Sequence, residues 1–230
     1  MPAFELAARQ GADAFELDVR LTRDGVPVVL HDSALDRTTD RSGLLATLTY
    51  QELREVDAGY RFTRDRRSFP FRGREVRIPM LSQVLRAFPE MPVLLELKEA
   101  AAQEAVKQVL LEERAVERCV LASEHHAALH RFRQPPFATA ASAAEIGALY
   151  RAVWFRRVPA SVPYRCLSVP LRHRGLPVPT RGFVGAARGL SCPVHVWTIN
   201  EPASARALWG RGVAGMVTNL PEVILGEREK

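Results

Sequence analysis

The sequence predicts an α/β protein built on a parallel β-sheet. Short apolar runs alternate with segments of helical periodicity along most of the chain, which is typical of strands joined by crossover helices. The length of 230 residues suits a single (β/α)8 barrel. An open doubly wound sheet shows the same alternation, so these observations leave two architectures open.

Local signals place the elements in order. A helix is predicted from Pro2 to Gln10. A β-hairpin is predicted from Phe15 to Asp32, because Asp24-Gly25 is a strong turn signal between two β-rich runs. Residues from about 33 to 77 form an insertion of loops and a short helix, and the Pro-rich run from Arg172 to Pro179 is a loop. The later strands are expected at Val93–Leu97, Cys119–Ala122, Phe137–Ala140, Cys166–Pro170, Val194–Ile199 and Gly215–Thr218, and helices at Leu81–Phe88, Ala101–Arg114, Ala127–Phe132, Ala143–Arg151, Phe183–Gly189 and Pro202–Arg211.

Acidic side chains share one face of neighbouring strands. Glu16 and Asp18 are two residues apart in the first predicted strand, so both point to the same side, and Glu96 ends the next barrel strand. Catalytic groups of a barrel project from the C-terminal ends of its strands, so these carboxylates are expected to converge. They would repel each other unless a cation neutralised them, which predicts a hard divalent ion, Mg²⁺ or Ca²⁺. The alternative is that Glu16 and Asp18 form the solvent face of a half-buried strand.

A histidine and a lysine are the other candidates near this cluster. If Asp24-Gly25 is a two-residue turn, the register places Asp18 opposite His31. A lone histidine here is more often a loop or core residue. Lys98 shares the face of Glu96 and is a natural anchor for a phosphate, the alternative being a salt bridge to one of the carboxylates.

Five ordered segments resemble the glycerophosphodiester phosphodiesterase family: ELDVRLTRDGVPVVLHD, LDRTTDRSG, IPMLSQVL, LLELK and VHVWTINEP. The resemblance covers nearly the whole chain and implies one domain over residues 1–230, a (β/α)8 barrel of the phospholipase C-like phosphodiesterase type. It implies metal-dependent hydrolysis of small-molecule glycerophosphodiesters to sn-glycerol 3-phosphate and an alcohol. It supports Glu16, Asp18 and Glu96 as metal ligands. His31 resembles the family's catalytic acid/base, and Trp197, otherwise a typical core residue, resembles the aromatic that covers the glycerol.

The start of the chain departs from the family pattern. The family opens with a strand carrying His-Arg-Gly and has a Glu-Asn pair before its first helix, whereas this sequence begins at Met1-Pro2-Ala3-Phe4. Seven barrel strands are therefore expected, and the missing strand would make eight. We expect Met1 to be an internal residue of a longer enzyme, and the chain as written to be a poor enzyme. The alternatives are a non-catalytic relative that binds a phosphate ligand or a partner, and a phospholipase acting on lysophospholipids or sphingomyelin.

Composition narrows the remaining classes of function. A net charge of +6 is compatible with an anionic substrate. The sequence has no compact basic block with interleaved aromatics, so a nucleic-acid partner is not predicted. The sequence has no run of 18 apolar residues, so no transmembrane segment is predicted. Cys119, Cys166 and Cys192 are widely spaced, which indicates neither a zinc site nor a disulfide framework. A cytoplasmic location is therefore expected, although a leader ahead of the missing strand would be compatible with the sequence.

Overall fold

The computed structural model describes residues 1–228, so the last two residues of the expected domain lie outside the described part. The strands are β1 Phe15–Leu21, β2 Pro27–Val29, β3 Val93–Leu97, β4 Cys119–Ala122, β5 Ala138–Thr139, β6 Leu167–Pro170, β7 Arg172–His173, β8 Leu176–Pro177, β9 Val194–Trp197 and β10 Gly215–Met216. The α-helices are α1 Pro2–Arg9, α2 Tyr50–Leu53, α3 Leu81–Ala87, α4 Gln103–Glu112, α5 Ala143–Trp154, α6 Arg181–Gly189, α7 Pro202–Trp209 and α8 Pro221–Leu225. Among these residues, no helix is both long enough and apolar enough to cross a bilayer.

Seven strands follow one another in parallel, as the sequence predicts. One sheet has the order β2-β1-β3-β4-β5 and the next has the order β10-β9-β6. A single parallel bridge between Ala140 and Cys166 joins them at the β5–β6 boundary. Within residues 1–228, β1 and β10 are not paired with each other. A cleft of about 1020 Å³ lies between them, and its lining includes Phe4, Glu16 and His195.

The alternation of side chains separates the helix layer from the inside of the sheet. In β1, Phe15, Leu17 and Val19 are buried, whereas Glu16 and Asp18 on the other face are only partly buried. Phe15 packs between rings of α1 and α3, with ring centroids 5.1 Å from Phe4 and 5.0 Å from Phe88. The apolar face of β1 is therefore fixed by the helices, and this fixes the direction in which its carboxylates point.

Two clusters of buried side chains cover the two halves of the sheet. The first packs β1, β3 and β4 against α3 and α4, and the second packs β6 and β9 against α5, α6 and α7. The segment 33–77 has a small core of its own on β2, which includes Leu35, Leu45 and Leu53. The two halves of the sheet thus have separate apolar support, joined at the β5–β6 boundary.

The hairpin corrects the predicted register by one residue. Val19 pairs with Val29 and Leu21 with Pro27, and the Thr22 amide donates to the Val26 carbonyl at 3.1 Å. The loop therefore has three residues rather than two, with Gly25 in the left-handed conformation at φ 79°. A one-residue slip changes the cross-strand partner of every residue. The partner of Asp18 is consequently Leu30, whose amide donates to the Asp18 carbonyl at 3.1 Å, and the predicted pairing with His31 is wrong.

Two later segments also differ from the prediction. The helix expected at Ala127–Phe132 is present as a 3₁₀ helix, His126–Phe132. The run Arg172–Pro179, expected to be a loop, contains the β7–β8 hairpin. Its two turn residues, Arg174 and Gly175, have φ of 48° and 83°, the conformations of a tight two-residue turn.

Candidate active site

Three carboxylates meet on one face of β1 and β3. Asp18 pairs directly with Glu96 in the parallel register, and Glu16 lies two residues earlier on the same face of β1. One carboxylate oxygen from each of the three residues lies within 4.8 Å of the others, and all three residues are partly buried. The structure therefore brings together the three side chains that the sequence singles out as metal ligands. Their oxygen donors fit the preference of Mg²⁺ and Ca²⁺ for carboxylate ligands.

Lys98 bridges two members of this cluster. Its Nζ lies 2.8 Å from Asp18 Oδ1 and 2.8 Å from Glu96 Oε1. Burial alone would lower the pKa of Lys98, but the hydrogen bonds and charges of the two carboxylates outweigh it and raise the pKa above its usual value. The ammonium is thus fully charged and offsets part of the repulsion. The alternative prediction for Lys98, a salt bridge to one of the carboxylates, is therefore observed, and Lys98 contacts two carboxylates rather than one.

Glu16 is the carboxylate that this arrangement leaves without a close cation. Burial raises its pKa, and the charges of Asp18 and Glu96 raise it further to about 7, against the opposing effect of Lys98. Near neutral pH, the Glu16 carboxyl group is therefore protonated in a large fraction of the molecules. An acid whose pKa is raised by burial and by two neighbouring carboxylates is a feature of functional sites.

Backbone contacts connect His31 to the strand that carries the carboxylate cluster. His31 follows Leu30, which pairs with Asp18, and its carbonyl accepts a hydrogen bond from Arg20 Nε at 2.9 Å. The imidazole side chain is 64% exposed. His31 is thus neither a core residue nor a direct partner of the carboxylates. Its imidazole ring is largely exposed.

The structure adds a residue that the sequence analysis does not assign. Asp32 Oδ1 lies 2.7 Å from His31 Nδ1, and Asp32 Oδ2 accepts from Arg37 Nε at 2.5 Å. The hydrogen bond from Arg37 is the main reason that the pKa of Asp32 falls below its usual value. An ionised aspartate therefore orients the imidazole and favours the proton on Nδ1. The position of Asp32 directly after His31 is the signal that could have indicated this role.

Trp197 stands at the end of β9, away from the carboxylates in sequence but on the same end of the parallel strands. It pairs with Pro170 at the end of β6 and is 38% exposed, so it is not a core residue. His195 lies on the same face, two residues earlier, and burial lowers its pKa. A side chain at Gly215 would place its Cβ 2.7 Å from His195 Cδ2, so this neighbour of the cleft has to be glycine. The sequence analysis does not single out His195.

Comparison with known proteins shows relatives over almost the whole chain. The model of the Glycerophosphoryl diester phosphodiesterase family matches residues 1–223. A Mycobacterium tuberculosis protein named "Probable glycerophosphodiester phosphodiesterase 2" is 32% identical over 237 residues, covering 97% of this chain and 82% of the relative. The "Glycerophosphodiester phosphodiesterase" of Bacillus altitudinis is 27% identical over 238 residues, covering 100% of this chain and 92% of the relative.

Solved structures share the fold. The glycerophosphoryl diester phosphodiesterase domain of a Mycobacterium tuberculosis protein has a TM-score of 0.85 at 23% identity, covering 97% of this chain and 90% of that one. An Oleispira antarctica phosphodiesterase, in complex with the product sn-glycerol-3-phosphate, has a TM-score of 0.78 at 24% identity, covering 99% and 89%. These likenesses and the seven parallel strands confirm the predicted α/β barrel class. On the match over residues 1–223 and the 32% identity across most of a relative, the chain belongs to the glycerophosphoryl diester phosphodiesterase family.

Proposed function

We propose that this protein hydrolyses glycerophosphodiesters to sn-glycerol 3-phosphate and an alcohol. The observation that carries the proposal is the convergence of Glu16, Asp18 and Glu96 around Lys98 in a chain of this family. The names of the relatives and the product bound by the Oleispira antarctica enzyme support the same reaction. The whole chain would act as one domain, with the segment 33–77 as an insertion.

The donor set supports a divalent ion held by Glu16, Asp18 and Glu96. Three carboxylate oxygens within 4.8 Å of one another suit a small hard cation, and Mg²⁺ and Ca²⁺ are both proposed. When bound, such an ion polarises the phosphodiester and lowers the pKa of a coordinated hydroxyl. With a metal ion bound to Asp18 and Glu96, Lys98 could exchange its contacts with these two carboxylates for a contact with a phosphate oxygen. An ammonium is well suited to that exchange because it binds phosphate as a point charge.

His31 and Trp197 are proposed to handle the proton and the glycerol. Asp32 occupies His31 Nδ1, so Nε2 is the atom left to accept or give a proton. The exposure of the ring leaves room for a substrate beside it. Trp197, partly exposed at the end of β9, offers an apolar surface against which a glycerol backbone would pack. These roles divide binding and proton transfer between different strands of the sheet.

A cytoplasmic location is proposed on the state of the cysteines. Cys119, Cys166 and Cys192 are all free and buried. Burial raises the pKa of each thiol, so the reactive thiolate is disfavoured. These properties suit a reducing compartment.

The proposed reaction predicts that Glu96→Gln abolishes most of the hydrolysis of glycerophosphocholine. The amide keeps the size of the side chain but removes a charged ligand, so the rate should fall ~10²-fold or more and Mn²⁺ affinity measured by calorimetry should fall with it. Glu104→Gln is the matched control, because Glu104 is an exposed carboxylate paired with Arg131 on the surface. Wild-type protein that binds the metal but releases no glycerol 3-phosphate would contradict the reaction and favour a ligand-binding relative.

The raised pKa of Glu16 predicts how stability depends on pH in metal-free protein. The folded state holds the Glu16 proton more tightly than the unfolded chain does, so this stability is complete below pH 4.5 and is lost as the pH rises through 7. The separation of the two pKa values corresponds to about 3 kcal/mol. Urea unfolding in EDTA should show this fall in wild-type protein and a flatter profile in Glu16→Gln. An identical slope in both proteins would show that Glu16 is not the titrating group.

The His31–Asp32 contact predicts unequal losses of rate. His31→Ala should reduce turnover by roughly 10²–10⁴-fold, the usual contribution of a positioned acid or base, while metal affinity is retained. Asp32→Asn should cause a smaller loss, because the amide no longer orients the imidazole through a charged hydrogen bond to Nδ1. His130→Ala serves as the control, because His130 is an exposed histidine beside Gln103 and Lys107, outside the candidate site. Unchanged turnover in His31→Ala would assign His31 a structural role only.

A further inference from the structure

The chain has one long segment in which all formal charge is positive. Residues 146–200 contain eight arginines and no aspartate, glutamate or lysine, whereas the whole chain carries 26 acidic residues. The segment includes the end of α5, the β7–β8 hairpin and α6. Such a run gives one part of the surface a positive potential that the net charge of +6 does not reveal.

The same segment exposes large apolar side chains. Trp154 is 77% exposed, Phe155 is 66% exposed, and Leu176 in the hairpin is 63% exposed. Single exposed apolar residues are ordinary, but a group of three large ones marks an interaction surface. Trp154 and Phe155 are consecutive at the end of α5, so they also form the most exposed aromatic pair among the described residues.

The two elements that carry these side chains are in contact. Tyr150, one turn before Trp154 in α5, donates its hydroxyl to the Pro177 carbonyl at 3.2 Å, and Pro177 follows Leu176. Val153 lies beside the start of α6, within 3.7 Å of the position of a Cβ at Gly182. The end of α5 and the hairpin thus form one surface. We call it the arginine–aromatic patch; it comprises Arg151, Trp154, Phe155, Arg156, Arg157, Arg172, Arg174 and Leu176.

The arginines of the patch have no acidic partner. Within residues 1–228, none of its five arginines takes part in an ion pair, although eight arginines elsewhere are paired with Asp or Glu, as Arg86 is with Glu113. Arg174 is also held at φ 48° in the tight turn of the hairpin, two residues before Leu176. The guanidinium groups are therefore available to an anionic partner.

We propose that the arginine–aromatic patch docks on the surface of an anionic phospholipid bilayer. Trp154, Phe155 and Leu176 would enter the headgroup region, where aromatic and aliphatic side chains are stabilised, and the surrounding guanidinium groups would contact lipid phosphates. A second copy of this chain is disfavoured, because two patches of the same charge would repel each other. A nucleic acid would satisfy the arginines but would offer no apolar medium to Leu176.

The hairpin of the docked patch would lie at the same end of the sheet as the candidate site. The hairpin begins directly after Leu171, whose amide donates to the Trp197 carbonyl at 3.2 Å. Binding of the patch to a bilayer would thus hold the site close to lipid-derived phosphodiesters. The binding itself does not depend on the proposed reaction and is measured without it.

Sedimentation with lipid vesicles tests the proposal. The full chain should bind vesicles of phosphatidylglycerol and phosphatidylcholine, release at high salt, and bind phosphatidylcholine vesicles much more weakly. Two variants, Trp154→Ala with Phe155→Ala and Arg156→Gln with Arg157→Gln, should each lose roughly tenfold or more in partitioning. Arg66→Gln with Arg67→Gln is the matched control, because both pairs are exposed neighbours, carry no ion pair within residues 1–228, and include one residue at positive φ.

Each outcome decides the matter. Retained binding by the control together with loss in both patch variants supports the patch, with circular dichroism confirming that the variants are folded. Equal loss in the control would show an effect of net charge alone and would overturn the proposal. Absence of vesicle binding, or binding of single-stranded RNA at the same ionic strength without binding to vesicles, would also overturn it.

Discussion

Lys98 contacts the carboxylates of Asp18 and Glu96 at 2.8 Å each, and the arrangement of the site depends on this double contact. The parallel pairing of Asp18 with Glu96 sets the two acids side by side, and the ammonium offsets the repulsion that this pairing creates. Glu16 lacks such a partner, and burial together with the charges of Asp18 and Glu96 raises its pKa to about 7. A site built in this way is poised for a second cation, because one lysine balances only part of three carboxylates.

The fold keeps proton chemistry separate from this charge cluster. The His31 carbonyl accepts a hydrogen bond from Arg20, which lies on β1 with Asp18. The His31 ring is oriented by Asp32, and Asp32 in turn is held by Arg37. The imidazole therefore has its own ionised partner and does not compete with a metal for the three carboxylates. The buried face of β1 supports both arrangements, since Phe15 packs between Phe4 and Phe88 and fixes the strand against the helices.

The sequence was sufficient for those features that follow from spacing. Alternation in β1 and β3 placed Glu16, Asp18 and Glu96 on one face, and seven parallel strands were predicted close to their observed positions. The loop of the first hairpin was not predictable in the same way. Asp24-Gly25 signals a turn but does not distinguish two loop residues from three, and this choice decides whether Asp18 faces Leu30 or His31.

Features that depend on contacts between distant segments could not be predicted from the sequence either. The double salt bridge of Lys98 requires the actual positions of two side chains, and periodicity supplies only their faces. The arginine–aromatic patch joins α5 to the β7–β8 hairpin through Tyr150 and Pro177, 27 residues apart. The consecutive residues Trp154, Phe155, Arg156 and Arg157 can be read from the sequence, but their exposure and the contact of α5 with the hairpin arise only in the folded chain.

The central claim is that the cluster of Glu16, Asp18 and Glu96 is a metal site in which Lys98 balances the remaining charge. Anomalous diffraction from crystals grown with Mn²⁺ tests it most directly, since Mn²⁺ shares the preference of Mg²⁺ for oxygen ligands. A metal held by this cluster should give a peak bonded to oxygens of all three carboxylates. A crystal saturated with Mn²⁺ that has no peak between them, with Lys98 still bridging Asp18 and Glu96, would contradict it.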